Sequence, residues 1–194
     1  RLVLRPERHY WFFDSFAGFY SGQGTEIGDD MDIRLQNPVY VAPLDRVMRS
    51  FASNGLLGER VHFVKGLFQT TLPAFGPPSR PIALLRLDGD LYTSTALALG
   101  VFYPSVSEGG WVVIDDYDWY ASSRGACRAA VNDYRNQWQI TSPIIRTFAH
   151  PSWMRTAASD GHAPRVASGR GSARARLSGT SLSRCAAMQM HAKI

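Results

Sequence analysis

Residues 82–117 of this 194-residue chain read IALLRLDGDLYTSTALALGVFYPSVSEGGWVVIDDY, and they carry its clearest architectural signal. Ile82 to Leu87 and Trp111 to Ile114 are short apolar runs of the kind that buried parallel strands require. Between them, Thr93 or Ser94 can cap a helix, and Gly109-Gly110 turns the chain into the second strand. A strand, a helix and a strand in this order predict a βαβ unit, and therefore an α/β fold with a mostly parallel sheet.

Both predicted strands end in aspartates. Asp88 and Asp90 follow the first strand, and Asp115 and Asp116 follow the second. Ligands of open α/β sheets bind outside the carboxyl ends of the strands, so we expect these four side chains to converge on one crevice. Carboxylates crowded together repel one another unless a cation lies among them, and oxygen ligands favour magnesium. The sequence therefore predicts a magnesium site.

The charge of the chain is unevenly distributed. Residues 1–157 contain 15 of the 21 basic and 15 of the 16 acidic residues, whereas residues 158–194 contain six Lys or Arg and only Asp160, which leaves the net charge of +5 there. The second segment has few large apolar side chains and cannot offset its chain entropy by burial. We predict one folded domain over residues 1–157 and a disordered basic tail over residues 158–194. Because the positive charge belongs to the tail, we do not expect nucleic acid to be a partner.

The cysteine content and the hydropathy indicate a cytoplasmic protein. Cys127 and Cys185 form neither a disulfide framework nor a metal-ligand spacing, which is typical of a reduced compartment. No apolar stretch approaches the roughly 20 residues of a membrane span, so we expect no membrane partner. A homo-oligomer is compatible with the sequence and is left open.

Several motifs, taken in chain order, resemble one known family. They are Phe12 to Phe16, Asn54 to Leu57, Val61 to Phe68, Leu85 to Tyr92, Tyr103-Pro104, Ile114 to Tyr117 and Cys127 to Val131. Together they resemble the macrocin O-methyltransferase (TylF-like) family over roughly residues 8–155. This resemblance implies a Rossmann-like class I methyltransferase fold with helices on both faces of the sheet. It also implies S-adenosylmethionine and Mg²⁺ as cofactors and a small-molecule hydroxyl, of a sugar or another natural product, as the acceptor.

The resemblance also implies roles for individual residues. Asp88, Asp115 and Asp116 match the positions of the metal ligands. The positions that match the cofactor site are Asp14, Ser15, Lys65, Gly66, Leu67 and Phe68. Asp14 would bind the ribose, and the segment from Lys65 to Phe68 would line the adenine. Asp88 and Asp90 are the candidate catalytic residues, with Asp90 accepting the proton or holding the acceptor, because it follows the strand end without matching a metal position.

One feature of the sequence departs from this family. In Rossmann-like folds a Gly-rich loop follows the first strand and lets the backbone approach the cofactor. That loop would precede Tyr10, yet only nine residues stand before Tyr10 and none of them is glycine. We therefore predict that the first strand and its Gly-rich loop are missing, and the activity of this truncated chain is left open.

Other functions remain open from the residues alone. A strand followed by Asp-Gly-Asp also suits a haloacid-dehalogenase-like phosphatase, although Tyr92 stands where that family has threonine or valine. A glycosyltransferase with an Asp-x-Asp motif and an inactive methyltransferase remnant are further alternatives. Asp14 could equally cap the turn that follows it.

Overall fold

In the computed structural model of this protein, the described residues are 7–18, 41–118, 126–146, 151–154 and 186–191. Their helices are α1 (Leu44–Ser53), α2 (Phe68–Phe75), α3 (Tyr92–Phe102) and α4 (Ala126–Gln137), and a 3₁₀ turn covers Tyr103–Ser105. Their strands are β1 (Tyr10–Asp14), β2 (Val61–Lys65), β3 (Ile82–Asp88), β4 (Val106–Ile114), β5 (Ile145–Arg146), β6 (Pro151–Met154) and β7 (Ala186–His191). None of these described helices has the length and apolar character needed to cross a membrane.

The seven strands form one sheet in the order β2-β1-β7-β3-β4-β6-β5. The pairs from β2 through β4 are parallel, and β6 and β5 continue the sheet antiparallel at one edge. The opening stretch of the sequence analysis forms β3, α3 and β4, with β3 and β4 as parallel neighbours. The predicted βαβ unit and the mostly parallel α/β fold are therefore confirmed.

Aromatic side chains of β1 show that helices cover both faces of the sheet. Phe12 packs on Phe51 of α1 with ring centroids 5.1 Å apart, whereas Phe13 packs on Phe75 of α2, also at 5.1 Å. Successive side chains of a strand point to opposite faces, so α1 and α2 lie on opposite sides of the sheet. Phe13 also lies 5.3 Å from Phe102, which puts α3 on the same side as α2.

The core holds the two strands that carry the aspartates. Leu85 and Leu87 of β3 lie opposite Val112 and Ile114 of β4, and all four are 1% exposed or less. Burial of such a side chain contributes about 1.5–3 kcal/mol. This packing fixes the relative positions of the two strands, and therefore of their carboxyl ends.

Two local boundaries differ from the sequence prediction. The helix expected to be capped by Thr93 or Ser94 begins at Tyr92 instead, after Leu91, which makes no side-chain cap. Strand β4 begins at Val106 and passes through the glycine pair that was expected to precede it. Gly109 has φ +75°, and the register between β3 and β4 shifts between Ile82 and Leu84, so the glycines form an irregularity within the strand rather than a turn before it.

The carboxyl-terminal segment differs most from its prediction. The tail over residues 158–194 was expected to be disordered, but Ala186–His191 form β7, which pairs in parallel with both β1 and β3. The other residues of that segment lie outside the described residues. A composition averaged over the tail hides this short run, whose backbone groups find hydrogen-bond partners on two neighbouring strands. Thus β7 is an interior strand of the sheet, between β1 and β3. The missing first strand and Gly-rich loop stay a prediction.

Candidate functional site

Three carboxylates meet where β3 and β4 end. Asp88 is the last residue of β3, Asp115 and Asp116 directly follow β4, and one carboxylate oxygen of each lies within 4.8 Å of the others. The Asp115 amide donates a hydrogen bond of 2.8 Å to the Leu87 carbonyl, which ties the two strand ends together. Asp88 and Asp116 are only 5% exposed. The structure brings these three residues together as expected, while their role as metal ligands stays a prediction.

A basic residue that the sequence analysis missed lies among these carboxylates. The Arg86 guanidinium lies 3.2 Å from Asp88 Oδ2 and also pairs with Asp115. Arg86 precedes Asp88 by two residues and therefore projects from the same face of β3. Its positive charge offsets part of the repulsion within the acidic group. The sequence signal that could have identified Arg86 is that it is the one basic residue inside an otherwise apolar strand.

Asp90 lies in the turn that leads from β3 into α3. It is 6% exposed, and its φ of +51° places it in the left-handed region, which is sparsely populated by residues other than glycine. The Leu91 amide donates a hydrogen bond to the Gly89 carbonyl across Asp90, which closes a tight turn. A Cβ at Gly89 would lie 3.3 Å from Ser94 Cβ, so glycine lets this turn pack closely on the start of α3. Asp90 does not belong to the group of three carboxylates whose oxygens lie within 4.8 Å.

The turn after β1 contains the first two residues of the predicted cofactor site. Asp14 Oδ1 accepts a hydrogen bond of 2.6 Å from the Phe16 amide, and the Ser15 hydroxyl donates one of 2.8 Å to the Gly18 carbonyl. Phe16 has φ +53°, so these bonds stabilise a left-handed turn. Asp14 thus has the turn-capping contact that its alternative interpretation predicted. Its contact with a ribose stays a prediction.

The second predicted cofactor segment lies beside the first. Asp14 is the register partner of Lys65, and the Gly66 amide donates a hydrogen bond of 2.8 Å to the Asp14 carbonyl. Gly66 has φ +145°, and a Cβ there would lie only 2.7 Å from Thr71 Cγ2. Lys65 is exposed and Leu67 is half-buried, whereas Phe68 is 4% exposed and belongs to the hydrophobic core. The two segments therefore share the carboxyl edge of the sheet, and Phe68 anchors the second one in the core.

Cys127, in the first turn of α4, is buried close to the acidic group. Burial and the nearby charges of Asp116, Asp90 and Asp88 together raise the pKa of its thiol to about 12, against the lowering effect of a hydrogen bond with Thr95. The thiol therefore stays protonated at neutral pH. A protonated thiol is neither a nucleophile nor a metal ligand, so Cys127 acts here as a small packing residue.

Comparisons of sequence agree with these observations. The family described as macrocin-O-methyltransferase (TylF) matches residues 3–156. An 8-demethyl-8-(2,3-dimethoxy-alpha-L-rhamnosyl)-tetracenomycin-C 4'-O-methyltransferase from Streptomyces olivaceus is 41% identical over 166 residues, which are 82% of this chain and 61% of that protein. A demethyldecarbamoylnovobiocin O-methyltransferase from Streptomyces niveus is 38% identical over 151 residues, or 75% of this chain and 55% of that protein. The chain thus spans less than two thirds of the length of these relatives.

A comparison of structures supports the same assignment. The solved structure of the O-methyltransferase NovP is similar to this fold with a TM-score of 0.67 and 36% sequence identity, over 77% of this chain and 61% of that one. The mostly parallel sheet with helices on both faces is the Rossmann-like fold of class I methyltransferases. Given this fold, the order of its acidic strand ends and a match over most of its length, the chain belongs to the macrocin-O-methyltransferase (TylF) family.

Proposed function

We propose that this protein transfers a methyl group from S-adenosylmethionine to a hydroxyl of a small molecule, with Mg²⁺ as a cofactor. The observation that carries the proposal is the group of three carboxylates at the ends of β3 and β4, in a chain of this family. The family match also favours methyl transfer over the phosphatase and glycosyltransferase alternatives that the Asp-Gly-Asp sequence left open.

The donor atoms at the ends of β3 and β4 fit a hard divalent cation. Asp88, Asp115 and Asp116 would hold it, since each offers one carboxylate oxygen within a space of 4.8 Å. When bound, such an ion lowers the pKa of a coordinated hydroxyl and fixes its oxygen. Arg86 pairs with two of the three carboxylates, so it sets their orientation before an ion binds.

Asp90 is the residue that we propose as the proton acceptor. Its carboxylate is buried, and the turn that holds it directly follows the strand end occupied by Asp88. An alcohol is a poor nucleophile at neutral pH, so a carboxylate oxygen that takes its proton during methyl transfer aids the reaction. The tight turn fixes Asp90 relative to Asp88, Asp115 and Asp116, and such positioning supplies much of the catalytic effect.

The cofactor site would lie along the same edge of the sheet. We propose that Asp14 and Ser15 approach the ribose and that Lys65, Gly66, Leu67 and Phe68 form the adenine side. The hydrogen bond between Gly66 and Asp14 supports this placement, because it holds the two segments next to each other.

The acceptor that we propose is a sugar hydroxyl on a natural product. The name of the S. olivaceus relative describes methylation of a rhamnosyl-tetracenomycin, which supports this class of substrate. We also propose a cytoplasmic location, because a buried cysteine thiol such as Cys127 suits a reduced compartment.

Calorimetric titration with S-adenosylmethionine, with and without Mg²⁺, tests the proposal. We expect saturable binding by the wild-type chain and Mg²⁺-dependent methylation of a glycosylated acceptor. Asp116→Asn should abolish the Mg²⁺-dependent methylation. Asp45→Asn, on the exposed surface of α1, should behave as the wild type. Absence of cofactor binding would support the inactive remnant instead, and turnover of a phosphate ester would support the phosphatase.

A further inference from the structure

Arg128 connects α4 to the chain segment that follows the two aspartates of β4. Its Nε donates a hydrogen bond of 2.9 Å to the Tyr117 carbonyl, and its guanidinium also pairs with the Asp118 carboxylate. The same guanidinium lies 5.1 Å from the centroid of the Tyr117 ring, a cation–π distance. The Arg128 side chain therefore contacts the backbone carbonyl and the ring of Tyr117, and the carboxylate of Asp118.

A second residue of α4 contacts the same segment. The Tyr117 hydroxyl donates a hydrogen bond of 2.8 Å to Asn132 Oδ1. Asn132 follows Arg128 by four residues, so both project from the same face of the helix. Tyr117 is only 9% exposed and belongs to the hydrophobic core. Arg128 thus contacts the face of the Tyr117 ring, and Asn132 binds the Tyr117 hydroxyl.

Asp118 has another cationic partner that provides a comparison. Arg146 of β5 lies 2.8 Å from Asp118 Oδ2, but the Arg146 side chain is 67% exposed. Exposed ion pairs of this kind contribute little to stability. The Arg128 side chain is 35% exposed and combines its ion pair with two contacts to Tyr117. The restraint on the segment therefore comes mainly from α4.

We propose that Arg128 is a positioning residue for the metal site. By holding Tyr117 and Asp118, it fixes the direction in which the chain leaves β4, and so the orientation of the Asp115 and Asp116 carboxylates toward Asp88. This inference rests on the proposed function, because it assumes that these carboxylates bind a divalent ion. Residues that orient metal ligands commonly change metal affinity about 10–100-fold when they are replaced.

The geometry of the contacts requires arginine rather than any cation. A lysine ammonium is a single point of charge and cannot combine the Nε bond, the Asp118 pair and the stacking on Tyr117. Arg128→Lys therefore keeps the charge near the site and removes the restraint. Tyr117→Phe keeps the core ring and removes only the bond to Asn132.

Titration of the full chain with Mn²⁺, followed by electron paramagnetic resonance, tests this role. We expect Arg128→Lys to weaken Mn²⁺ binding about 10–100-fold, and Tyr117→Phe to weaken it less. Arg146→Lys is the matched control, because it alters a partner of the same Asp118 and should bind Mn²⁺ as the wild type does. A purely stabilising role would instead lower the melting temperature of the metal-free protein and leave the Mn²⁺ affinity of the folded fraction unchanged.

The outcomes separate this inference from the function on which it rests. Wild-type protein that binds no Mn²⁺ would overturn the proposed metal-dependent function. Wild-type protein that binds Mn²⁺, with unchanged affinity in Arg128→Lys, would overturn the positioning role alone. If Arg128→Lys does not fold, Asp118→Asn decides, because it removes the carboxylate that pairs with Arg128: reduced Mn²⁺ affinity supports the role, and unchanged affinity contradicts it.

Discussion

Arg86 shows how a single residue changes the electrostatics of the candidate site. The predicted acidic group is present, but a guanidinium on the same face of β3 already pairs with Asp88 and Asp115. The grouping of the aspartates could be predicted from the sequence, because they directly follow the apolar runs that form the strands. The pairing of Arg86 could not be predicted, because an apolar strand with one basic residue does not reveal which neighbour that residue meets.

Replacement of Arg86 by glutamine should destabilise the metal-free protein. Asp88 and Asp115 would lose the cation that pairs with both of them, and we expect the free energy of unfolding to fall by about 1–3 kcal/mol. Mg²⁺ should restore part of this loss, because it supplies the missing charge. Urea unfolding with and without Mg²⁺ measures both effects. Arg49→Gln is the control, because it breaks an exposed pair with Asp45 and should leave the free energy of unfolding nearly unchanged. An equal effect in the two variants would contradict the role of Arg86.

The raised pKa of Cys127 predicts a low thiol reactivity and a dependence of stability on pH. At pH 8 a pKa of about 12 leaves roughly a thousandfold less thiolate than the ordinary value of 9.0. In a Cys185→Ser background, a thiol reagent should therefore label the native protein far more slowly than the urea-unfolded protein. The folded state binds this proton more tightly than the unfolded state, so its stabilising contribution is complete below pH 9 and is lost as the pH rises toward 12. Rapid labelling of the native protein would contradict this account.

At the scale of elements, the βαβ unit of β3, α3 and β4 could be predicted, and the exact boundaries could not. The apolar runs ending in Leu87 and Ile114 mark the strands, because both are buried in the core. The glycine pair looked like a turn, but a bulge in a strand and a turn before it use the same residue type. Whether a bulge or a turn forms depends on the pairing of β4 with Ile82, a residue that is far from the glycines in sequence.

Gly66 provides the test at this scale, since it joins β2 to α2. Gly66→Ala would force alanine into φ +145° and bring its Cβ within 2.7 Å of Thr71 Cγ2. We expect a loss of about 1–3 kcal/mol in the free energy of unfolding. Gly58→Ala is the matched control, because nothing lies within 4 Å of the Cβ that it adds. Chemical denaturation of both variants measures the difference, and equal stability would show that the turn tolerates a side chain.

At the scale of the whole molecule, the sheet depends on a strand that the sequence did not reveal. Local patterns predicted the fold class, because each βα unit carries its own signal. They did not predict that Ala186–His191 would lie between β1 and β3, since this pairing joins the two ends of the chain. A short run of small and apolar residues has no distinctive pattern until its neighbours are known.

Removal of residues 186–194 should therefore disrupt the sheet. Strand β7 supplies the parallel pairing that links the β1–β2 half to the β3–β4 half. Without it, we expect a marked fall in the melting temperature and a less cooperative transition in circular dichroism. A deletion that leaves the melting curve unchanged would instead agree with the disordered tail that the composition predicted.

The central claim is that Asp88, Asp115 and Asp116 hold one divalent ion at the ends of β3 and β4. Isothermal titration of Mg²⁺ into the wild type and into Asp88→Asn tests it most directly, because Asp88 is the only ligand that β3 contributes to the three. We predict one Mg²⁺ site per chain in the wild type and a loss of that binding in Asp88→Asn. Equal Mg²⁺ binding by the two proteins, or none by the wild type, would contradict the claim.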